Sequence, residues 1–262
     1  MKNKKAIAVG TCFFVFFLIC LFKVCAAGAK DDVRLRVEPE EIHIGALYDG
    51  ATLIATGIVP ADSEAIVRFM GTTCDLHMKE RGKVAGIMWM NLDSITFRGA
   101  PSVCLVSSAV DLQGLEANGG ASVRVLRLSG LRGSIQVEAE GGQHQNAIEE
   151  FLKLKQKEGL YREMFGNISY GNASEGQKSF RAEVPIPSRL IAGDYVVKLD
   201  AVRNGEVIVR SEIPVKVNLV GFPAFLSGLA FDHSALYGIL ATVIALLAGL
   251  GIGLVFQSKG SH

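Results

Sequence analysis

Between Leu236 and Phe256 the chain runs for 21 residues without a charge. As an α-helix rising 1.5 Å per residue, that run measures about 31 Å, the thickness of a bilayer's hydrocarbon core. It predicts a membrane-spanning helix over 236–256. Within it Ala241, Ala245, Gly249 and Gly253 recur every four residues and so share one face, where a neighbouring helix could approach closely. Gly249 and Gly253 carry the stronger, all-glycine spacing.

The other apolar block lies at the start. Lys2, Lys4 and Lys5 precede an uncharged run from Ala6 to Phe22, and small residues follow. That order predicts a signal peptide over 1–29, with Ala27 and Ala29 offering a small-x-small site before Lys30. An uncleaved anchor is the alternative, because Lys23 closes the run. Cys25 follows Phe22, Lys23 and Val24, which does not fit a lipidation site. Cleavage would leave a single span, a body outside the cytoplasm, a juxtamembrane linker over 221–235 and a cytoplasmic tail over 257–262, with Lys259 as a thin positive-inside signal. The expected setting is a bacterial inner membrane with the bulk of the chain in the periplasm and the carboxyl terminus in the cytoplasm.

Charge narrows the class. The net charge is +1, all 26 Asp and Glu lie between residues 30 and 235, and 22 of the 27 Lys and Arg lie there too. A mildly acidic body does not favour broad adhesion to anionic lipid, and no bulk positive charge is present to drive nucleic-acid binding. With 49% hydrophobic residues the chain is not a disordered one.

Between the two apolar ends, short runs of strand length recur: Val33–Val37, Ile42–Leu47, Thr52–Ile58, Glu64–Gly71, Val84–Met90, Ser94–Phe97 and Cys104–Ser107. Tyr48-Asp49-Gly50, Val59-Pro60-Ala61-Asp62 and Arg98-Gly99-Ala100-Pro101 separate them with turn residues. A second set is expected at Ser122–Leu128, Ser134–Ala139, Ser179–Val184, Tyr195–Val202, Glu206–Ser211 and Val215–Val220. Asn204-Gly205 is the clearest hairpin turn. Over 146–165 the period changes: Ile148, Phe151, Leu152, Tyr161, Met164 and Phe165 form an apolar face against Glu149, Glu150, Lys153, Lys155 and Lys157, predicting one amphipathic helix or two short ones. The expected fold is mainly β: two immunoglobulin-like β-sandwich modules, 30–118 and 119–220, the second with a helical insertion, followed by the span.

No G-x-S-x-G elbow, H-E-x-x-H zinc motif or phosphate-binding loop occurs in the sequence, so no catalytic residue, cofactor or metal site is assigned. Cys74 and Cys104 are the two cysteines outside the leader, and in an oxidising compartment they could form one disulfide or remain two buried thiols. His77 beside Asp75, with Cys74 and Met70, Met78, Met88 and Met90, is the weaker option of a soft-metal site. The run Gly86 to Asn91 holds the only Trp, and Trp89 with Asn91 is either core or a partner surface. Phe222, Phe225, Phe231, Asp232, His233 and Tyr237 sit at the approach to the span, where aromatics set helix height and polar residues meet water or a membrane partner.

Several stretches together resemble a family of transmembrane proteins of uncharacterised function first described in alphaproteobacteria. They are Val37-Glu38-Pro39 with Ile42 to Gly45, Val84-Ala85-Gly86 with Trp89 and Asn91, Phe97, Pro101, Glu158-Gly159-Leu160-Tyr161, Phe180-Arg181-Ala182, Pro185-Ile186-Pro187, Ala192-Gly193-Asp194-Tyr195 and Leu236-Tyr237-Gly238. The chain departs from the family pattern after Pro101, where Val103-Cys104 replaces an aromatic, so a disulfide with Cys74 would be particular to this branch. The resemblance implies a membrane-anchored periplasmic accessory protein associated with a permease of the sulfite-exporter type, and it carries no catalytic residue. The expected role is therefore non-enzymatic, with lipid bilayer, an integral membrane protein or a second copy as partners. A ligand-sensing or metal-handling domain and an envelope enzyme are the alternatives.

Overall fold

A computed structural model describes residues 34–84, 87–117, 120–139 and 146–257. The expected leader over 1–29 and the tail beyond Gln257 lie outside the described residues, as do Ala85, Gly86, Asn118, Gly119 and His144.

Thirteen strands and a set of helices make up the described residues. Strand β1 (Arg34–Glu38) ends at a cis Glu38–Pro39 bond, after which β2 (Glu41–Ile44) joins a different sheet. Strands β3 (Ala51–Pro60) and β4 (Glu64–Gly71) follow, then a long hairpin of β5 (Thr73–Val84) and β6 (Met88–Pro101), then β7 (Cys104–Ser108) and β8 (Gln136–Ala139). The later strands are β9 (Tyr161–Phe165), β10 (Ile168–Ser174), β11 (Gln177–Ile186), β12 (Gly193–Arg203) and β13 (Glu206–Leu219). A four-stranded sheet has the order β1-β3-β11-β10, and a six-stranded sheet has the order β2-β13-β12-β4-β7-β9. The hairpin and β8 make a third, three-stranded sheet.

Alternation explains why the two larger sheets pack together. Along β11, Phe180, Ala182, Val184 and Ile186 are buried while the residues between them are exposed, so one face is apolar and the other wet. Those four join Leu53 and Ala55 of β3 in one core with Val67 and Phe69 of β4 and Val197 and Leu199 of β12. A polar tie crosses the same interface: the Tyr170 hydroxyl on β10 accepts from the Ala65 amide at 2.9 Å and donates to Glu64 at 2.8 Å. Strand β7 is buried along its whole length, as a strand covered on both faces must be.

This arrangement corrects the expected division at residue 118. Strand β3 pairs with β11 from Ala51↔Ile186 to Pro60↔Gln177, and β4 pairs with β12 from Glu64↔Val202 to Gly71↔Tyr195. Each sheet therefore takes strands from both sides of the boundary, and neither 30–118 nor 119–220 has a sheet of its own. The body is mixed α/β and strand-rich. Its helices are more numerous than the single expected insertion.

Helix α1 (Leu112–Ala117), α2 (Ala121–Leu126) and α3 (Leu131–Ser134) lie between β7 and β8. The strand expected at Ser122–Leu128 is thus α2 with a 3-10 turn at Leu128–Gly130. The β-branched Val123 and Val125 favour a strand locally, but Val123 and Leu126, three apart, face the core together only on a helix. The apolar run Val84–Met90 is likewise not one strand, because Val84 pairs with Met88 and the chain reverses between them.

Helix α4 (Ala147–Lys157) matches the expected amphipathic segment in its first half. Ala147, Phe151 and Leu152 are buried, Glu149 and Glu150 sit in the first turn, and Lys155 and Lys157 in the last, each charge favourable to the helix dipole. Gly159, at φ +76°, ends it: its amide bonds to the Gln156 carbonyl and the Leu160 amide to the Lys155 carbonyl, a Schellman closure. The chain then enters β9 directly. Phe151 stacks on Phe97 of β6 with centroids 4.3 Å apart and meets Tyr161 of β9 edge-on at 6.0 Å, so α4 joins the hairpin sheet to the six-stranded one.

The hairpin turn at Asn204-Gly205 forms as expected, with φ of +52° and +81° suited to a tight turn between β12 and β13. Beyond β13 come α5 (Phe222–Phe231) and α6 (Ser234–Gln257). Helix α6 has 24 residues, about 36 Å at 1.5 Å per residue, and no charged side chain in its first or last turn.

Candidate functional site

The cysteine pair does not form the expected disulfide. Cys104 and Cys74 are both free thiols. Cys104 lies within the fully buried β7, in register with Met70, whereas Cys74 lies exposed at the foot of the hairpin with its Sγ 3.8 Å from the Ala100 carbonyl oxygen. Burial pushes the Cys104 thiol up to about 12, an effect that the nearby Arg68 only partly offsets.

The soft-metal set is also dispersed. His77 faces Thr96, with Nδ1 2.9 Å from the threonine hydroxyl, and Asp75 accepts from the Gly99 amide and meets Arg98. Met78 sits opposite Ile95, while Met88 and Met90 lie at the far end of the hairpin opposite Val84 and Gly82. Cys74 and Gly82 are eight residues apart on one strand, about 26 Å at 3.3 Å per residue, so Cys74 and the distal methionines cannot share an ion. Among the described residues no group of three or more His, Cys, Asp or Glu is placed to hold a metal.

Two charge clusters that were not expected from the sequence lock the body. Asp200 on β12 is fully buried and accepts from Arg68 Nη2 at 2.7 Å, Arg68 Nε at 3.1 Å and Arg210 Nε at 2.7 Å. Glu116 on α1 accepts from Arg124 and Arg127 of the following helical segment, and Arg127 reaches Glu163 of β9 at 2.9 Å. Those two arginines hold the Glu116 carboxyl below its ordinary range. Each carboxylate is saturated by partners on neighbouring elements, which suits tethering rather than proton transfer. The only advance signal for Asp200 was a lone acid in a run, Tyr195–Val202, that is apolar apart from it and Lys198.

The hairpin extends outward from the six-stranded sheet. It continues β4 and β7 outward: the Gly71 amide bonds to the Val103 carbonyl, the Ser102 amide bonds to the Thr72 carbonyl, and Thr73 pairs with Pro101. Toward its base it is covered, with a cleft of about 140 Å³ lined by Met78, Ile95, Phe97, Phe151 and Leu154. At its tip Ile87, Met88, Trp89 and Met90 are exposed, Trp89 by 67%. Trp89 is therefore a surface residue, not core, and Asn91, opposite Arg81, is exposed beside it. Lys83 Nζ lies 5.5 Å from the Trp89 ring centroid.

The second surface is at the carboxyl end. No part of α6 is buried against the body, and its residues Ser234–Leu254 are long and apolar enough to cross a membrane. Phe231, Asp232, His233 and Tyr237 are all exposed where α5 gives way to α6, as are Phe222 and Phe225. Ala241, Ala245, Gly249 and Gly253 are exposed too, and a Cβ added at Gly249 or Gly253 would meet nothing within 4 Å. Thr242 satisfies its hydroxyl within the helix by donating to the Gly238 carbonyl at 2.8 Å.

Comparison with known families places these surfaces in a common frame. The family profile described as "Putative transmembrane protein" matches residues 32–258, covering the body, α5 and α6 together. No curated protein matches the chain.

Proposed function

The chain belongs to that family of transmembrane proteins, and from this premise we propose that it is a non-enzymatic accessory protein whose strand-rich body is held at a bacterial inner membrane by α6. One observation carries the reading: a 21-residue apolar stretch with none of its residues buried follows the well-packed body after the short helix α5. In water such a surface is untenable, and in lipid it is the expected state.

In this reading residues 1–29 are a cleaved leader, the body lies in the periplasm, 221–235 links it to the span, and 257–262 is a cytoplasmic tail. The body is a single immunoglobulin-like sandwich of variable type. What supports this is the pair of strand orders β1-β3-β11-β10 and β2-β13-β12-β4-β7-β9, together with the Tyr195 hydroxyl bonded to the Ile191 carbonyl four residues upstream, the corner found at the start of the equivalent strand in such folds. Such sandwiches serve as binding scaffolds. The partner is an integral membrane protein that meets the small-residue face of Ala241, Ala245, Gly249 and Gly253 and the collar from Phe231 to Tyr237; a sulfite-exporter-type permease is the partner that the family resemblance suggests.

Two experiments test this. A reporter that fluoresces only in the cytoplasm, fused after His262, is expected to be bright, and a dark reporter overturns the orientation. Crosslinking in native membranes is expected to recover one integral membrane protein with the wild-type chain and to lose it when Gly249→Leu and Gly253→Leu are combined. Unchanged recovery removes the helix face from the role.

A further inference from the structure

We propose that the tip of the β5–β6 hairpin, formed by Ile87, Met88, Trp89 and Met90, is a second membrane contact, seated in the lipid interface of the bilayer that α6 crosses. The inference rests on the reading of α6 as the span.

The exposure of the tip comes first. Ile87 is 87% exposed and Met88 62%, next to Trp89, at the far end of an arm whose apolar residues Ile95 and Phe97 are buried at its base. Along a strand, successive side chains point to opposite faces, so Met88 and Met90 lie on one face of the ribbon and Trp89 on the other. A flat protein surface would cover one face and leave the other wet. A lipid interface surrounds the tip and covers both.

Charge agrees. Between Arg81 and Leu92 the only charged residues are Arg81 and Lys83, both basic and exposed, while Glu80 and Asp93 pair one step farther from the tip, so a short basic collar borders the tip with the acids behind it. Aromatic and apolar side chains at a loop tip with a basic collar match the interface of a membrane containing anionic lipid.

Topology supplies the geometry. Strand β4 ends at Gly71 opposite Tyr195, near the start of β12, and β12 pairs Gly193 with Val217 near the end of β13. Thr72 ties this junction by donating its hydroxyl to the Asp194 carbonyl at 2.9 Å. The hairpin therefore leaves the six-stranded sheet at the same end from which β13 leads to α5 and α6. Its 12-residue arm β5 is about 40 Å long, against about 15 Å for the 10-residue α5 that separates the sheet from the span. The reach is ample.

Trp89 is the only tryptophan in the chain, so its emission reports the tip alone. The full chain is reconstituted into vesicles of phosphatidylethanolamine and phosphatidylglycerol, with and without bromine on the acyl chains, and flotation is scored in parallel. The expected result is a chain that floats, a blue-shifted emission shielded from acrylamide, and loss of most of that emission in the brominated vesicles. Replacing Ile87, Met88 and Met90 together by Ser is expected to restore acrylamide access, and Arg81→Glu with Lys83→Glu to reduce bromine quenching several-fold. A floating chain with water-like emission overturns the tip contact and leaves the anchor standing. A chain that does not float overturns both. A blue shift that bromine does not quench and that grows with the protein-to-lipid ratio also overturns the proposal, because a second copy then covers the tip.

Discussion

The Tyr195 hydroxyl donates to the Ile191 carbonyl oxygen at 2.8 Å, fixing the loop that enters β12 to the strand it feeds. The ring is 2% exposed and stacks on Phe69 at 5.0 Å, so hydrogen bond and packing are separable by mutation. Tyr195→Phe keeps the stacking but removes the hydroxyl's bonds to the Ile191 carbonyl and to the Ser102 side chain, and is expected to cost about 1–3 kcal/mol. Tyr195→Ala also empties a core site and is expected to cost about 3–5 kcal/mol. Denaturant midpoints of the full chain in detergent check both.

Asp200 is the buried carboxylate between Arg68 and Arg210. Asp200→Ala leaves Arg68, whose side chain is only 11% exposed, without its counter-charge, and the expected loss is about 3–5 kcal/mol. Arg210→Ala removes a partner whose side chain is 60% exposed, and solvent screening limits that loss to about 0–1 kcal/mol. The ratio between the two losses, read from thermal midpoints, is the measurement that matters. Equal losses would mean that Arg210 holds the site as firmly as the buried partner.

Cys104 and Cys74 should differ in reactivity. With its pKa pushed up to about 12 by burial, Cys104 has almost no thiolate near neutral pH, while Cys74 is exposed. Alkylation of the native protein followed by peptide mass analysis is expected to mark Cys74 and spare Cys104, and unfolding should expose both. The pH dependence has a definite sign. Between the ordinary thiol value of 9.0 and about 12 the folded state keeps a proton that the unfolded state has lost, so stability is unaffected by this group below that window and falls as pH rises through it. Cys104→Ser should lose that alkaline slope.

Leu247 lies near the middle of α6 and is 64% exposed in the body's absence of contact there. Leu247→Arg places a charge at the centre of the span and is expected to cost about 2.5–3.5 kcal/mol of insertion. The fraction of chain resisting alkaline extraction from membranes should fall accordingly, while the same change at Leu47, 98% exposed on the body, should leave it unaltered.

Legibility followed the reach of the forces involved. Glu64–Gly71 and the Asn204-Gly205 turn were readable because alternation and turn chemistry act over a few residues. Strand β5 was missed because Thr73–Val84 carries charges along much of an arm that is largely exposed, so it lacks a hydrophobic period. Helix α2 read as a strand because β-branched residues mislead when burial, not propensity, decides. The sharing of both sheets across residue 118 depends on pairs such as Ala55↔Ala182, which no local pattern encodes. For the surfaces, the sequence located Trp89 and the approach to α6 but left Trp89 open between core and partner surface, since an apolar run has the same composition buried or bare. It left Cys74 and Cys104 open between one disulfide and two thiols, and both are free thiols.

The parallel pairing of β2 with β13, secured at its rim by Asn218 and Glu41, 177 residues apart, bears on how the protein is made. The second and the last strands of the body are clasped together shortly before the anchor. Synthesis must therefore run to the end of β13 at Leu219 before the six-stranded sheet is complete, and until then the emerging chain carries open strand edges that need shielding from one another. A nascent chain stalled short of Lys216 should remain protease-sensitive throughout the body, whereas one released a few dozen residues later should not.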